Sequence, residues 1–233
     1  MTNERAPAQF DAYAEEYRAT LERGVRLSGE DSEFFARGRV EWTGRRLQEH
    51  RLTPRTILDF GCGAASTTPF LLALEGAERL IGTDVSSELL KLARRDYGSN
   101  RATFGGIEAV PEASVDLAYC NGVFHHIRPS DRPAAIATVR AALRPGGLFA
   151  FWENNPWNPG TRLVMRRIPF DRDAITLTAP ESRRLLRDQG FDDLTVDFLF
   201  VFPKPLTALR PLERYLVGLP LGAQYLVLAR RPG

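Results

Sequence analysis

The chain has 233 residues, of which 43% are hydrophobic and 26% are charged, and its formal net charge at pH 7 is +2. This length and composition suit a single globular domain with a full core. The small charge argues against nucleic-acid binding, and the sequence offers no signal peptide, no apolar segment long enough to span a membrane and no metal-ligand spacing of its two cysteines. We therefore expect a cytoplasmic protein that binds neither nucleic acid nor membrane.

Two helices are predicted before the first strand. The first covers residues 10–23 and carries Tyr13 and Tyr17 on one face at helical spacing. The second covers residues 32–49, with Ser32 as its cap. We assign residues 1–50 to N-terminal helices that pack on the main domain and cover its site.

Strands and helices then alternate up to residue 153. Apolar runs predict strands at 56–60, 79–83, 101–104, 115–120 and 148–153. Helices at about 66–75, 86–97 (capped by Ser86) and 132–143 connect them. This alternation predicts a parallel sheet with helices on both faces.

The pattern changes after residue 153. Residues 154–178 are rich in Pro, Asn and Arg and are predicted to form an insertion with one short helix. Such irregular segments often carry binding groups. A helix at 180–189 and strands at 194–202 and 223–229, with a helical piece at 206–217 between them, complete one domain that spans residues 51–233.

A glycine-rich turn follows the first predicted strand. Gly61 and Gly63 flank Cys62 in a G-x-G arrangement, which lets the backbone approach a nucleotide closely. Asp84 ends the second strand roughly 20 residues later, where a ribose-binding carboxylate belongs. The two features together predict a nucleotide cofactor.

Several segments, in order, resemble the motifs of the class I S-adenosylmethionine-dependent methyltransferases over roughly residues 40–153. They are Asp59-Phe60-Gly61-Cys62-Gly63, Asp84, Val110-Pro111, Val115-Asp116-Leu117, Asn121-Gly122-Val123-Phe124-His125-His126-Ile127 and Leu143-Arg144-Pro145-Gly146-Gly147. The resemblance implies an α/β, Rossmann-like fold, with a seven-stranded, mostly parallel sheet, a C-terminal antiparallel hairpin and N-terminal lid helices. It also implies S-adenosylmethionine as the cofactor, with no metal.

The same resemblance implies a set of cofactor-binding residues. They are Asp59, Gly61, Cys62, Gly63, Asp84, Val85, Gly106, Ile107, Asn121, Gly122, Val123 and Tyr17. Two positions depart from the family pattern. Ala65 replaces the third glycine of the loop, and Gly106 stands where the family often has an acid for the adenine amino group, so that Glu108 supplies this contact or the contact is missing.

Titratable and aromatic residues follow strands four and five at the carboxyl edge of the sheet, where ligands bind in such folds. His125, His126 and Glu153 are predicted as candidate bases, although His126 in the family often holds the loop instead. Tyr13, Trp152, Asn154, Asn155 and Trp157 are predicted to contact the acceptor. For the asparagines, turn formation is an equal alternative.

These expectations converge on methyl transfer to a small molecule. O-methylation of a natural-product, sugar or quinone-like acceptor is the first choice, and N- or C-methylation is the second. A non-catalytic relative that binds the cofactor stays open. A dinucleotide-dependent oxidoreductase fits less well, because Ala64-Ala65-Ser66 follows Gly63 in place of the rest of a G-x-G-x-x-G loop. The sequence leaves the acceptor and the oligomeric state unassigned.

Overall fold

The computed structural model describes residues 20, 22–24, 26–172 and 174–233, with backbone alone at residue 27. Tyr13 and Tyr17 lie outside the described residues, together with most of the helix predicted over 10–23. None of the described helices combines the length and the apolar character needed to cross a membrane.

Seven strands in the described part of the chain form one sheet, in the order β3-β2-β1-β4-β5-β7-β6. The strands are β1 (Thr56–Phe60), β2 (Arg79–Thr83), β3 (Ala102–Gly105), β4 (Val115–Asn121), β5 (Leu143–Asn154), β6 (Asp192–Leu199) and β7 (Gln224–Arg230). Neighbours pair in parallel except β7, which is antiparallel to both β5 and β6. The predicted fold class, including the C-terminal antiparallel hairpin, is confirmed.

The central strands are buried on both faces, which explains their unbroken apolar sequences. All but the last residue of β4 are buried, as are the three middle residues of β1. Two apolar clusters cover opposite faces of the sheet, one around Trp152 and Tyr119 and the other around Phe124 and Phe149. The core therefore fixes the strand ends that carry the site.

Six α-helices are described around the sheet. They are α1 (Ser32–Glu49), α2 (Thr68–Leu71), α3 (Ser87–Tyr97), α4 (Arg132–Ala142), α5 (Pro159–Arg167) and α6 (Ala179–Asp188). Ser86 caps α3 as predicted, because its hydroxyl accepts the Leu89 N–H at 3.1 Å. The cap of α1 is Asp31 rather than the predicted Ser32, since the Asp31 carboxylate accepts the Phe34 N–H at 2.7 Å.

Two elements differ from the predictions. The helix expected over 66–75 is only the four-residue α2, and tighter turns continue the segment through bonds such as Phe70 N–H to the Thr67 carbonyl. So short a helix adds little dipole at the glycine loop. Strand β5 starts at Leu143 instead of 148, because Leu143 already pairs with Val115.

Irregular segments at the carboxyl edge of the sheet complete the site. The insertion contains α5 and a 3-10 turn at Pro169–Asp171, and a longer 3-10 segment at Lys204–Tyr215 connects β6 to β7. A 3-10 turn at Phe124–His126 follows β4. These connections face the same edge as the glycine loop after β1.

Candidate active site

The loop after β1 is tied to the end of β2. The N–H groups of Gly61 and Cys62 both donate to the carbonyl of Thr83, at 2.8 and 2.9 Å. Gly61 has φ +72°, and a Cβ at this position would lie 2.4 Å from Val123. Only glycine satisfies both the backbone conformation and the close approach of Val123.

Asp84 sits at the end of β2 and organises this loop. Its carboxylate accepts the Gly63 N–H at 2.8 Å and the Ser86 N–H at 2.9 Å. A carboxylate is an acceptor with two oxygens, which is the kind of group that suits a ribose diol. The neighbouring Val85 is 66% exposed, so its side chain is open to contact with a ligand.

The adenine side of the predicted site lies at the end of β3. Ile107 begins a 3-10 turn there and is partly buried. The carboxylate of Glu108 occupies the space that a side chain at Gly106 would fill, with its Oε1 1.9 Å from the position of such a Cβ. This placement fits Glu108 as the substitute for the missing family acid.

Asp59 and Asn121 face the space beside the glycine loop. Burial and the nearby Asp84 carboxylate raise the pKa of Asp59 to about 7, although Arg39 lowers it. The side-chain oxygen of Asn121 is buried and has no hydrogen-bond partner among the described residues. Both groups are acceptors that suit an ammonium ligand.

Arg39 of α1 is a site residue that the sequence analysis missed. It is buried, and its guanidinium donates to the Tyr119 hydroxyl at 3.2 Å and to the Gln224 side-chain oxygen at 2.9 Å. Within the described part of the chain, no carboxylate lies within ion-pair distance of Arg39. A buried guanidinium with neutral partners favours an anionic ligand.

A cavity of about 460 Å³ joins Arg39, Asp59 and Asn121 to the residues after β4, whereas Asp84, Val85 and Ile107 lie outside its lining. Its cofactor end includes Asp59, Gly61, Cys62, Asn121 and Gly122. Its apolar wall comes from α1, the insertion and the segment after β6, namely Phe34, Phe35, Leu163, Met165, Phe170, Phe200 and Phe202. Asn154 also lines the cavity, and its side-chain oxygen accepts from Gln224 at 3.0 Å.

Two histidines and two carboxylates meet at the cavity wall. His125 Nδ1 lies 2.6 Å from Glu153 Oε2, and its Nε2 lies 3.6 Å from Asp171 Oδ1. His126 Nε2 lies 3.2 Å from the same Asp171 oxygen. His125, His126 and Asp171 line the cavity, whereas Glu153 lies behind His125.

The charged groups in this cluster shift one another's pKa values. Burial alone would lower the pKa of His125, but Glu153 and Asp171 together raise it to about 10. Burial and the charge of His125 lower the pKa of His126. Although burial opposes it, the two nearby imidazoles lower the pKa of Asp171 to about 2, and His125 likewise holds the pKa of Glu153 below its usual value.

Asp171 was also missed by the sequence analysis, because it lies 45 positions beyond His126 inside an irregular segment. Its placement depends on two backbone contacts. The Ile175 N–H donates to the His125 carbonyl at 2.9 Å, and the Asp171 N–H donates to the Ile168 carbonyl at 3.1 Å. The insertion thereby brings its carboxylate to the turn after β4.

Glu153 and Trp152 require corrections. Glu153, predicted as a base or an acceptor contact, is buried and accepts the Phe124 N–H at 2.8 Å in addition to its contact with His125. It therefore positions the turn and does not face the cavity. Trp152, predicted as an acceptor wall, is wholly buried in the core and donates its indole N–H to Thr43 at 3.1 Å.

Asn155 and Trp157 also differ from their predicted roles. The Asn155 side chain is buried and bonds the carbonyls of Pro220 and Gly222, at 3.1 and 2.8 Å, so it fastens the insertion to the segment before β7. Trp157 is half-exposed and does not line the cavity. The alternative of turn formation describes Asn155, whose side-chain oxygen accepts the Trp157 N–H at 3.1 Å.

Comparisons with known proteins agree with the motifs. Residues 57–147 match the family described as "Methyltransferase domain". A trans-aconitate 2-methyltransferase from Azoarcus sp. is 29% identical over 115 residues, which cover 49% of this chain and 45% of the relative. A tRNA U34 carboxymethyltransferase from Shewanella sediminis is 30% identical over 155 residues, 62% of this chain and 42% of the relative. The chain thus spans less than half the length of these curated relatives.

A solved structure from Thermotoga maritima, titled an S-adenosylmethionine-dependent methyltransferase and possible histamine N-methyltransferase, superimposes with a TM-score of 0.67. The match covers 97% of this chain and 99% of the other at 18% sequence identity. At this identity the likeness concerns the fold alone.

Proposed function

Because this chain belongs to the class I S-adenosylmethionine-dependent methyltransferases, we propose that it transfers a methyl group from S-adenosylmethionine to an oxygen atom of a small-molecule acceptor. The observation that carries this proposal is the continuity of one cavity from the glycine loop to the histidine cluster. The cofactor would enter at one end of this cavity and the acceptor at the other.

The nucleoside part of the cofactor would lie along the ends of β2 and β3. Asp84 would accept the two ribose hydroxyls, and a charged acceptor makes each such bond worth about 1.5–3 kcal/mol. The exposed side chain of Val85 and the partly buried Ile107 would flank the adenine. Glu108 would accept the adenine amino group in place of the family acid.

The methionine part of the cofactor would lie at the inner end of the cavity. Its ammonium group fits Asp59 and the unpartnered oxygen of Asn121. Its carboxylate fits Arg39, whose buried guanidinium otherwise has no carboxylate within ion-pair distance in the described chain. In this assignment Asp59, Asn121 and Arg39 each gain a charged partner from the cofactor.

The methyl group would then point towards the turn after β4. An acceptor oxygen donates an electron pair to the methyl carbon, and the carbon–sulfur bonding pair returns to sulfur, which leaves as the thioether of S-adenosylhomocysteine. The hydroxyl proton passes to water in the same reaction. The His125, His126 and Asp171 cluster lies where this oxygen needs activation, and enclosure by the apolar wall favours in-line alignment.

Two features support a small acceptor. The apolar wall encloses the reacting end with side chains from three segments, and the net charge of +2 provides no basic footprint for a nucleic acid. The Azoarcus relative is named for a small-molecule acceptor, trans-aconitate. The apolar part of the wall favours an acceptor that carries a ring or a hydrocarbon portion beside its oxygen.

The test is a screen of hydroxylated and carboxylated small molecules with S-adenosylmethionine, with methylated product detected by mass spectrometry. We expect O-methylated product that depends on both enzyme and cofactor. Phe170→Ala opens the apolar wall and should raise KM for that acceptor without a matching loss of cofactor affinity. Methylation confined to nitrogen, or cofactor binding without any methylated product, would overturn the proposal.

A further inference from the structure

We propose that His125, His126 and Asp171 bind one divalent transition-metal ion, of the Zn²⁺, Mn²⁺ or Fe²⁺ type, in the wall of the acceptor cavity. These residues form the one group of at least three histidine, cysteine or acidic side chains with metal-binding proximity in the described part of the chain. The sequence predicts no metal, because the family resemblance implies none and the two cysteines lack metal-ligand spacing.

The donor atoms have the separations of ligands that share an ion. One donor atom from each of His125, His126 and Asp171 lies within 4.8 Å of the other two. Asp171 Oδ1 is 3.6 Å from His125 Nε2 and 3.2 Å from His126 Nε2. Ligands bonded at about 2.1 Å at tetrahedral or octahedral angles lie about 3.0–3.4 Å apart, so small side-chain shifts suffice to close the site.

The contact between Glu153 and one ring nitrogen of His125 favours metal binding by the other ring nitrogen. Its Nδ1 contacts Glu153 Oε2 at 2.6 Å, while its Nε2 is buried and has no hydrogen-bond partner among the described residues. A carboxylate on one ring nitrogen fixes the tautomer that leaves the other nitrogen free for a metal. An ion at the cavity wall accounts for both the Glu153 contact and the unsatisfied Nε2.

The charges of the buried carboxylates also favour a bound cation. Glu153 and Asp171 are both buried, and in the described structure their ion pairs are with the two histidines alone. A protonated His125 compensates only one of these two buried negative charges, and burial makes the other costly to leave uncompensated. One divalent cation between two neutral imidazoles compensates both.

The donor set also selects the kind of ion. Two imidazoles and one carboxylate suit borderline transition metals, whereas Mg²⁺ and Ca²⁺ prefer oxygen ligands. Three protein ligands leave coordination positions open towards the cavity. If the proposed function holds, an acceptor hydroxyl would occupy an open position, the ion would lower its pKa, and the proton would pass to water before the oxygen attacks the methyl group.

The experiment uses untagged protein, freed of metal with EDTA and exchanged into chelator-free buffer, and titrates Zn²⁺ and Mn²⁺ separately by calorimetry without cofactor. We expect one ion per chain for the wild type and at least tenfold weaker binding for Asp171→Asn and for His126→Asn. His50→Asn is the matched control, because His50 is the only other histidine in the chain and lies apart from the cavity. It should bind as the wild type does.

A second readout covers any variant that fails to fold. The chain has three histidines, so the imidazole ¹⁵N spectrum of the wild type contains few signals. Zn²⁺ should shift the signals of His125 and His126 and leave those of His50 unchanged. Absence of saturable binding by folded wild type, or equal binding by Asp171→Asn, would overturn the metal site. S-adenosylmethionine titrated into the same samples separates the outcomes, since cofactor binding without metal binding leaves the proposed function standing.

Discussion

His125, in the turn after β4, and Glu153, near the end of the adjacent parallel strand β5, are joined by a 2.6 Å contact between imidazole Nδ1 and a carboxylate oxygen. The other oxygen of Glu153 accepts the Phe124 N–H at 2.8 Å. One buried carboxylate thus sets both the backbone of the turn and the orientation of the imidazole that reaches the cavity.

Glu153→Gln should lower the free energy of unfolding by about 2–4 kcal/mol, because it leaves the buried His125 without its charged partner. Urea denaturation monitored by circular dichroism measures this change. Glu112→Gln, at an exposed position, is the control and should change stability by less than about 0.5 kcal/mol. A loss for Glu153→Gln no larger than for the control would show that the contact does not organise the turn.

Asp59 should make stability depend on pH. Its folded pKa of about 7 lies above the ordinary 3.8, so the folded state favours the neutral acid and its contribution to stability falls as pH rises from 4 to 7. Asp59→Asn should therefore be more stable than wild type at pH 8, by up to about 4 kcal/mol, with little difference at pH 4. Denaturation at several pH values tests the sign. A variant that is less stable at pH 8 would contradict it.

Gly61→Ala should remove cofactor binding while the sheet stays folded. The added Cβ would meet Val123 and would force a φ of +72° on a residue with a side chain. We expect at least a tenfold loss of S-adenosylmethionine affinity, or about 1.4 kcal/mol. Gly218→Ala is the matched control, since a Cβ there meets nothing within 4 Å. Equal affinities of the two variants would exclude the loop from the cofactor site.

Arg39→Gln should weaken S-adenosylmethionine binding at least tenfold, because the methionine carboxylate would lose its guanidinium partner. Decarboxylated S-adenosylmethionine should bind the wild type and Arg39→Gln equally well. Arg37→Gln, exposed on the same helix, controls for the loss of a positive charge. If the variant loses both ligands by the same factor, Arg39 supports the cavity and does not bind the carboxylate. Calorimetry supplies all of these affinities.

The sequence predicted the fold well because its information is local. Apolar strands and capped helices alternate along the chain, and the glycine loop lies next to the strand that positions it. Arg39 and Asp171 could not be found in this way. Arg39 meets residues 80 and 185 positions away, and Asp171 comes from a segment without periodicity. Trp152 likewise lies on one of the two faces of its strand, and the packing of the sheet decides whether that face is buried. The neighbouring residues in the sequence do not reveal this packing.

The most direct test of the central claim is calorimetric titration of S-adenosylmethionine and S-adenosylhomocysteine into wild type and Asp84→Asn. We predict micromolar binding of both ligands to wild type and at least tenfold weaker binding to the variant, because the amide loses the charge that strengthens bonds to the ribose. Absence of binding by folded wild type, or equal binding by Asp84→Asn, would contradict a cofactor site at the ends of β1 and β2.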